Sequence, residues 1–241
     1  MQIKLQQVEK YFRLNNERIK VVDNVSFSVE QGRCSALLGP SGCGKSTLLA
    51  MIAGFFPPDG GKIEVEGRIS LCLQRDLLLP WRDLLANVCL PVEARDKSAL
   101  PAARQEAEQY LPLFGLEGFG GSYPAQLSGG MASRASLLRA LMAGGDFWLL
   151  DEPFAKLDAL TKEDLQLWLR GIIDRFHPGV LLITHDIDEA LLLADEICLL
   201  SPRPCRLLAR LTTPRGRGME ADAQELAALK AEIRRLLGIA A

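Results

Sequence analysis

At 241 residues, 48% of them hydrophobic, the chain is long enough for one large α/β domain with a sizeable core. A net charge of −2 and a pI of about 5.8 argue against a sequence-independent nucleic-acid binder, which needs a basic surface. Six cysteines (34, 43, 72, 89, 198 and 205) are scattered without a CxxC pair, and the start MQIKLQQVEK has no apolar signal core, so free thiols in a reducing cytosol are expected. Only His177 and His185 could join those cysteines, which leaves no zinc pattern. The longest apolar runs, GVLLIT and ALLLADEICLL, are short or broken by charge and fall well below the roughly twenty residues of a membrane span.

The first thirty residues read as β: Val25, Phe27 and Val29 alternate with polar residues, and Gln31-Gly32 is a turn. Cys34–Gly39 is a buried strand that runs into a glycine loop, and Lys45–Gly54 is a helix ended by its glycine. Arg68–Leu73 is a short strand. Gln74–Trp81 (QRDLLLPW) is a loop whose leucines and tryptophan make an apolar patch; it either faces a partner or packs on the helices that follow. Ser98–Phe114 has helical spacing and Gly115–Gly121 ends it. Met131–Ala143 places Met131, Ala135, Leu138 and Met142 on one helical face, and Gly144-Gly145 stops it. Phe147–Leu150, Val180–Thr184 and Glu196–Leu200 are strands, while Thr161–Phe176 and Ile187–Ala194 are helices. The tail Glu220–Leu237 is a surface helix closing the domain. Strands alternating with helices predict a mostly parallel sheet covered on both faces.

GPSGCGKST, Gly39–Thr47, fits the phosphate-loop pattern G-x-x-x-x-G-K-[ST] in its required strand–loop–helix context. Gly39, Pro40, Ser41, Gly42, Cys43 and Gly44 offer backbone N–H groups to phosphate oxygens, Lys45 reaches the β- and γ-phosphates, and Ser46, followed by Thr47, ligates Mg²⁺. Cys43 makes the loop a candidate target for thiol reagents. FWLLDE, Phe147–Glu152, ends in Asp151, which would hold Mg²⁺ through water, and Glu152, which would act as general base. An Asp-Glu pair after an apolar strand is commonplace and gains weight only beside Gly39–Thr47. Ser128, Gly129 and Gly130 precede a second apolar-periodic helix, so the chain carries a second anion-binding helix start.

The order GPSGCGKST, Gln74, LSGGM, FWLLDEP, LDALT, ITHD resembles the ATP-binding subunits of ABC transporters, over Ile3 to about Leu211. LLPW (Leu78–Trp81), DALT (Asp158–Thr161) and LSPRP (Leu200–Pro204) make it most similar to the nitrate/sulfonate/taurine-type importer ATPases. The resemblance implies a P-loop core with a mostly parallel sheet, an N-terminal antiparallel β subdomain and a helical insert. Within one domain over 1–241, the core and β subdomain would fall at about 1–74 and 146–211, the helical part at about 75–145 and a helical tail at about 212–241. It also implies a head-to-tail pair of subunits in which Ser128–Gly130 of one closes on the γ-phosphate held by Gly39–Thr47 of the other.

Carried over position by position, Gln74 senses Mg²⁺ and the attacking water, His185 is the switch histidine at the γ-phosphate, and Leu157-Asp158 touches the opposite subunit. Phe12, in the pattern V-x-K-x-aromatic (Val8–Phe12), or Tyr11 one position earlier, stacks on adenine; a strand-core aromatic is the plainer alternative. The implied partners are a second copy, transmembrane permease subunits contacted by Gln74–Trp81, and through them a solute-binding protein outside the cell, with no nucleic acid. The implied location is peripheral, on the cytoplasmic face of the cell membrane, and the implied cargo is a small anion or small organic molecule. An exporter subunit, or a soluble ABC ATPase acting on nucleic acid or ribosomes, is the alternative. The chain departs from the pattern at Leu73, where Phe is usual, at Ala132-Ser133, and at Lys156, where a small residue is usual. None of these touches Lys45, Ser46, Asp151, Glu152 or His185.

Overall fold

The computed structural model describes residues 1–15, 17–74, 76–155, 159–219 and 222–238, with the backbone alone at 159–161. Two sheets organise it. In the first, β1 (Gln2–Leu14) lies between β2 (Glu17–Glu30) and β4 (Gly60–Val65), all antiparallel. In the second, the order is β5 (Ile69–Cys72), β6 (Phe147–Asp151), β7 (Gly179–Thr184), β3 (Cys34–Leu38), β8 (Glu196–Leu200), β9 (Leu207–Thr212). Every neighbouring pair there is parallel except β8 with β9. The central strands β3, β6 and β7 are buried along their whole length, which is why they read as unbroken apolar runs rather than as alternation.

Successive side chains still point to opposite faces and so divide the core in two. Cys34, Ala36 and Leu38 of β3, with Trp148 and Leu150 of β6, join the core of the helical side. Leu37, Phe147, Leu149, Leu181 and Ile183 face the other way, onto Leu48 and Leu49 of α1 (Lys45–Ile52) and onto Ile3, Leu5 and Phe27 of the first sheet. The helix after the glycine loop is thus packed in the core between the two sheets, which holds its N-terminus still.

Between β5 and β6 the chain is helical: α2 (Leu84–Val88), α3 (Leu90–Arg95), α4 (Leu100–Tyr110) and α5 (Gly129–Met142). Asp83 caps α2 by accepting from Ala86 N. The one-face reading of α5 is too narrow. Leu137, Ala140 and Ser136 are buried along with Ala135, Leu138 and Met142, because α2, α3 and α4 all pack against it. Next come α6 (Ala159–Phe176), α7 (Ile187–Leu193) and α8 (Ala223–Leu236). The last lies on α7, where Lys230 pairs with Asp188 at 2.6 Å.

Two strands are additions to the sequence reading. β4 is short and half polar (GGKIEV) and exists because β1 offers it a partner edge. β9 alternates half-buried Leu207, Ala209 and Leu211 with exposed residues, and it closes the edge of the second sheet against β8.

Candidate functional site

In a parallel sheet the loops after the strands gather at the carboxyl ends, where ligands bind. The order β5-β6-β7-β3 therefore sets Gln74, Asp151-Glu152, Thr184-His185 and Gly39–Thr47 side by side at one rim.

The glycine loop is shaped by close approach. A Cβ on Gly39 would lie 2.9 Å from the Leu200 carbonyl, and Gly44, at φ 130°, holds a backbone that a side chain would strain. Lys45 is buried, and its Nζ donates to the carbonyls of Gly39 at 2.7 Å and Pro40 at 3.1 Å. Its ammonium is folded back over the loop that it follows, close to where a phosphate would meet the first turn of α1.

Asp151 ends β6, 9% exposed, with Ser46 hydrogen-bonded to its carboxyl. Burial raises this carboxyl above the usual range, and the Ser46 hydroxyl partly offsets that. Beyond it, Glu152 has a left-handed backbone (φ 45°), costly for a side chain with a Cβ. Its N–H donates to Ile183 O at 2.9 Å. Both carboxylate oxygens are held from neighbouring strand ends. Gln74 Nε2 donates to Oε2 at 3.1 Å, and Nδ1 of His185 lies 3.2 Å from Oε1. Three residues singled out separately in the sequence thus meet at one carboxylate. Such an arrangement fixes the orientation of the carboxylate.

Among the described residues no group of three or more His, Cys, Asp or Glu could hold a metal ion. The oxygen donors at this rim are hard ones: the Ser46 hydroxyl hydrogen-bonded to the Asp151 carboxylate, and the amide oxygen of Gln74 at the end of the adjoining strand. They suit Mg²⁺, which keeps several waters and completes its shell with phosphate oxygens.

Ser128 caps α5, its hydroxyl accepting from Met131 N at 3.2 Å. None of the hydrogen bonds described for Ser128–Gly130 reaches Gly39–Thr47, and Ser128 and Gly129 are exposed. Of the two aromatics near the loop, Tyr11 already has the Arg18 guanidinium 3.9 Å above its ring and donates its hydroxyl to Glu9. Phe12 is 43% exposed, edge-on to Phe56 at 5.9 Å. The apolar patch after Gln74 is smaller than its sequence suggests. Leu77 and Trp81 are exposed, whereas Leu79 is half-buried and Leu78 packs on the helical core. Lys156 and Leu157-Asp158 lie outside the described residues.

Sequence reading missed three supports. Asn87, fully buried, bonds Leu79 N and the carbonyls of Leu79, Arg82 and Asp83, and so shapes the turn after Gln74. Lys162 Nζ reaches Asp186 at 2.6 Å and Glu189 at 3.6 Å, tying α6 to the His185 turn. Cys205 backs the glycine loop. An isolated Asn, Lys or Cys carries no pattern from which such contacts could be read.

Comparison with known proteins decides the family. A model described as ABC transporter matches residues 22–155. This chain belongs to the ABC transporter family. Among curated ABC relatives, it is similar to the taurine import ATP-binding protein of Rhizobium johnstonii, 39% identical with 91% of this chain and 89% of the relative covered. It is also similar to the formylaminopyrimidine import ATP-binding protein of Halalkalibacterium halodurans, 40% identical with 90% of each covered. Among solved structures, it superimposes on a dimeric bacterial ABC transporter cassette with a TM-score of 0.75 at 27% identity, over 87% of this chain and 98% of that one. A post-hydrolysis dimeric state of that cassette, bound to ADP and Pi, gives 0.74 at 26% identity over the same shares.

Proposed function

We propose that this ABC chain is the ATP-hydrolysing subunit of an importer for a small anion or small organic molecule, the class to which its taurine-import relatives are named. It works as a head-to-tail pair of copies, docked on permease subunits at the cytoplasmic face of the membrane and served by a solute-binding protein outside. Among its described residues no helix is long and apolar enough to cross a membrane, so the channel is the work of other chains.

The observation that carries this reading is the carboxylate of Glu152, gripped by Gln74 and His185 beside Gly39–Thr47. In this reading the loop N–H groups and Lys45 bind the β- and γ-phosphates of ATP, and Phe12 stacks on the base. Ser46, Asp151 and Gln74 would hold Mg²⁺, which would supply charge neutralisation at the phosphates. Glu152 takes a proton from the attacking water as the water oxygen bonds to the γ-phosphorus and the bond from that phosphorus to the β,γ-bridging oxygen breaks, leaving ADP and inorganic phosphate, while His185 and Gln74 keep the carboxylate aimed. Ser128–Gly130 of the second copy completes the γ-phosphate cage; that the structural relative is a dimer supports the pairing of copies on which this rests.

The test is Glu152→Gln. The purified variant should bind Mg-ATP as well as the parent, hydrolyse it about 10²–10⁴ times more slowly, and elute as a dimer under saturating nucleotide. A variant that stays monomeric under those conditions would sink the shared-site model.

A further inference from the structure

The phosphate loop rests against a second loop that the mechanism above does not use. Ser201–Cys205 follows β8, and Cys205 is fixed against β2. Its N–H donates to Val21 O at 2.8 Å and its carbonyl accepts from Asp23 N at 2.9 Å. From this anchor the segment meets the glycine loop at three points. A Cβ on Gly44 would stand 3.1 Å from Cβ of Cys205, Arg203 Nη2 donates to the Gly42 carbonyl at 3.2 Å, and the Cys205 thiol hydrogen-bonds to the sulfur of Cys43. Cys43 and Cys205 are buried in the same cluster, with Leu37, Leu48 and Leu200. Ser41 and Gly42, on the crest of the loop beside Cys43, are exposed.

The six thiols are chemically unlike one another. Burial pushes Cys72 up to about 11 and Cys198 up to about 12, and raises Cys34 and Cys89 as well. Cys43 moves the other way, to about 6, because the Cys205 thiol donates to it, with the Lys45 charge and backbone N–H groups adding to the effect. Cys205 is pushed up in turn as the donor. A nucleophilic sulfur in contact with a protonated thiol is the pairing from which disulfides form.

We propose that Cys43 and Cys205 are an oxidation site, closing to an intramolecular disulfide that shuts the phosphate loop to nucleotide. The second half rests on the reading of Gly39–Thr47 as the phosphate site. The oxidant is a hydroperoxide. The Cys43 thiolate attacks one oxygen and the O–O bond breaks; the departing hydroxide takes up a proton to become water, leaving a sulfenic acid. The Cys205 sulfur then attacks Cys43 sulfur, the S–O bond breaks, and the thiol proton leaves with the hydroxyl as a second water. Two thiols are oxidised by two electrons and one hydrogen peroxide is reduced to two waters. An S–S bond of about 2.05 Å is shorter than a thiol–sulfur hydrogen bond. Closure therefore draws the loop toward Cys205.

The experiment uses the full chain, reduced and then treated with diamide, a thiol-selective oxidant that yields disulfides. After alkylation, non-reducing peptide mapping should find a Cys43–Cys205 cross-linked peptide. The oxidised protein should bind a fluorescent ATP analogue at least tenfold more weakly and recover fully with dithiothreitol. Prior saturation with Mg-ATP should slow the cross-link. Cys205→Ala, or Cys205→Ser should the alanine variant not fold, should keep its nucleotide affinity through the same treatment. Absence of the cross-linked peptide, or a cross-linked protein that binds nucleotide as the reduced one does, overturns the proposal. Reduced protein that binds no ATP would instead overturn the nucleotide reading and the shut-off built on it, while the cross-link itself is scored separately by mass.

Discussion

Glu152 and Glu189 are two carboxylates of the same region with opposite surroundings. Glu152 stands in a strained backbone conformation with both oxygens held and its side chain partly open to solvent. Glu189, in the first turn of α7 just after His185, is 3% exposed, and its Oε1 is buried without a hydrogen-bond partner among the described residues. Burial pushes its carboxyl up to about 7, against the pull of Lys162 and of the Thr184 hydroxyl. The folded protein therefore holds this proton more tightly than the unfolded chain, where the value is 4.5. Its contribution to stability is complete below about pH 4.5 and is lost as pH rises through about 7. Glu189→Gln removes that loss. The variant's thermal midpoint should exceed the parent's by on the order of a few degrees above pH 7, and the gap should shrink toward pH 5. A gap that widens on acidification would contradict the assignment.

The element that matters most beyond the strands is the turn between Gln74 and α2. It has almost no regular backbone pairing of its own, although Arg82 N donates to Leu79 O at 3.1 Å. One side chain does the work of a strand partner: Asn87 accepts from Leu79 N at 2.6 Å and donates to three carbonyls within 3.1 Å. This fixes the path that leaves Trp81 70% exposed. Arg139 of α5 adds bonds from its guanidinium to the carbonyls of Asp76 and Leu77, at 2.5 and 2.9 Å. Asn87→Ala takes their described partner from the Leu79 N–H and the Arg82 carbonyl, at a cost of about 2–3 kcal/mol. Urea unfolding should show that loss, while unchanged stability would mean that water replaces the amide without penalty. Fast hydrogen exchange at Leu79 in the variant would locate the loss in this turn.

At the scale of the whole molecule, the proposed site takes part of its γ-phosphate cage from a second copy. Ser128 caps α5 and is exposed, and none of the hydrogen bonds described for Ser128–Gly130 reaches the chain's own phosphate loop. Ser128→Asp separates structure from function, because aspartate caps a helix as well as serine does but brings a negative charge to where a γ-phosphate would sit. The variant should keep the parent's thermal midpoint and its ATP affinity at Gly39–Thr47, and lose at least about tenfold in hydrolysis, the equivalent of about 1.4 kcal/mol. Full hydrolysis by this variant would mean that one copy suffices.

Much of this was legible in the sequence, because the phosphate loop and the strands that feed the rim are local patterns. A glycine loop between a buried strand and a helix, and apolar runs ending in Asp-Glu or Thr-His, each state their own conformation through short-range sterics and burial. β4 and β9 were not legible, since a half-polar strand exists only once an edge such as β1 or β8 is there to pair with it. The sequence determined which residues could bind phosphate, metal and water. Only the tertiary structure decided that Gln74 and His185 would meet on Glu152, that Asn87 would hold the turn, and that Cys205 would lie under Cys43. The first and last of these join residues far apart in the chain, brought together by the order in which strands stack in a sheet and not the order in which they are written; Asn87 reaches back only to Leu79, Arg82 and Asp83, through the path of the turn itself.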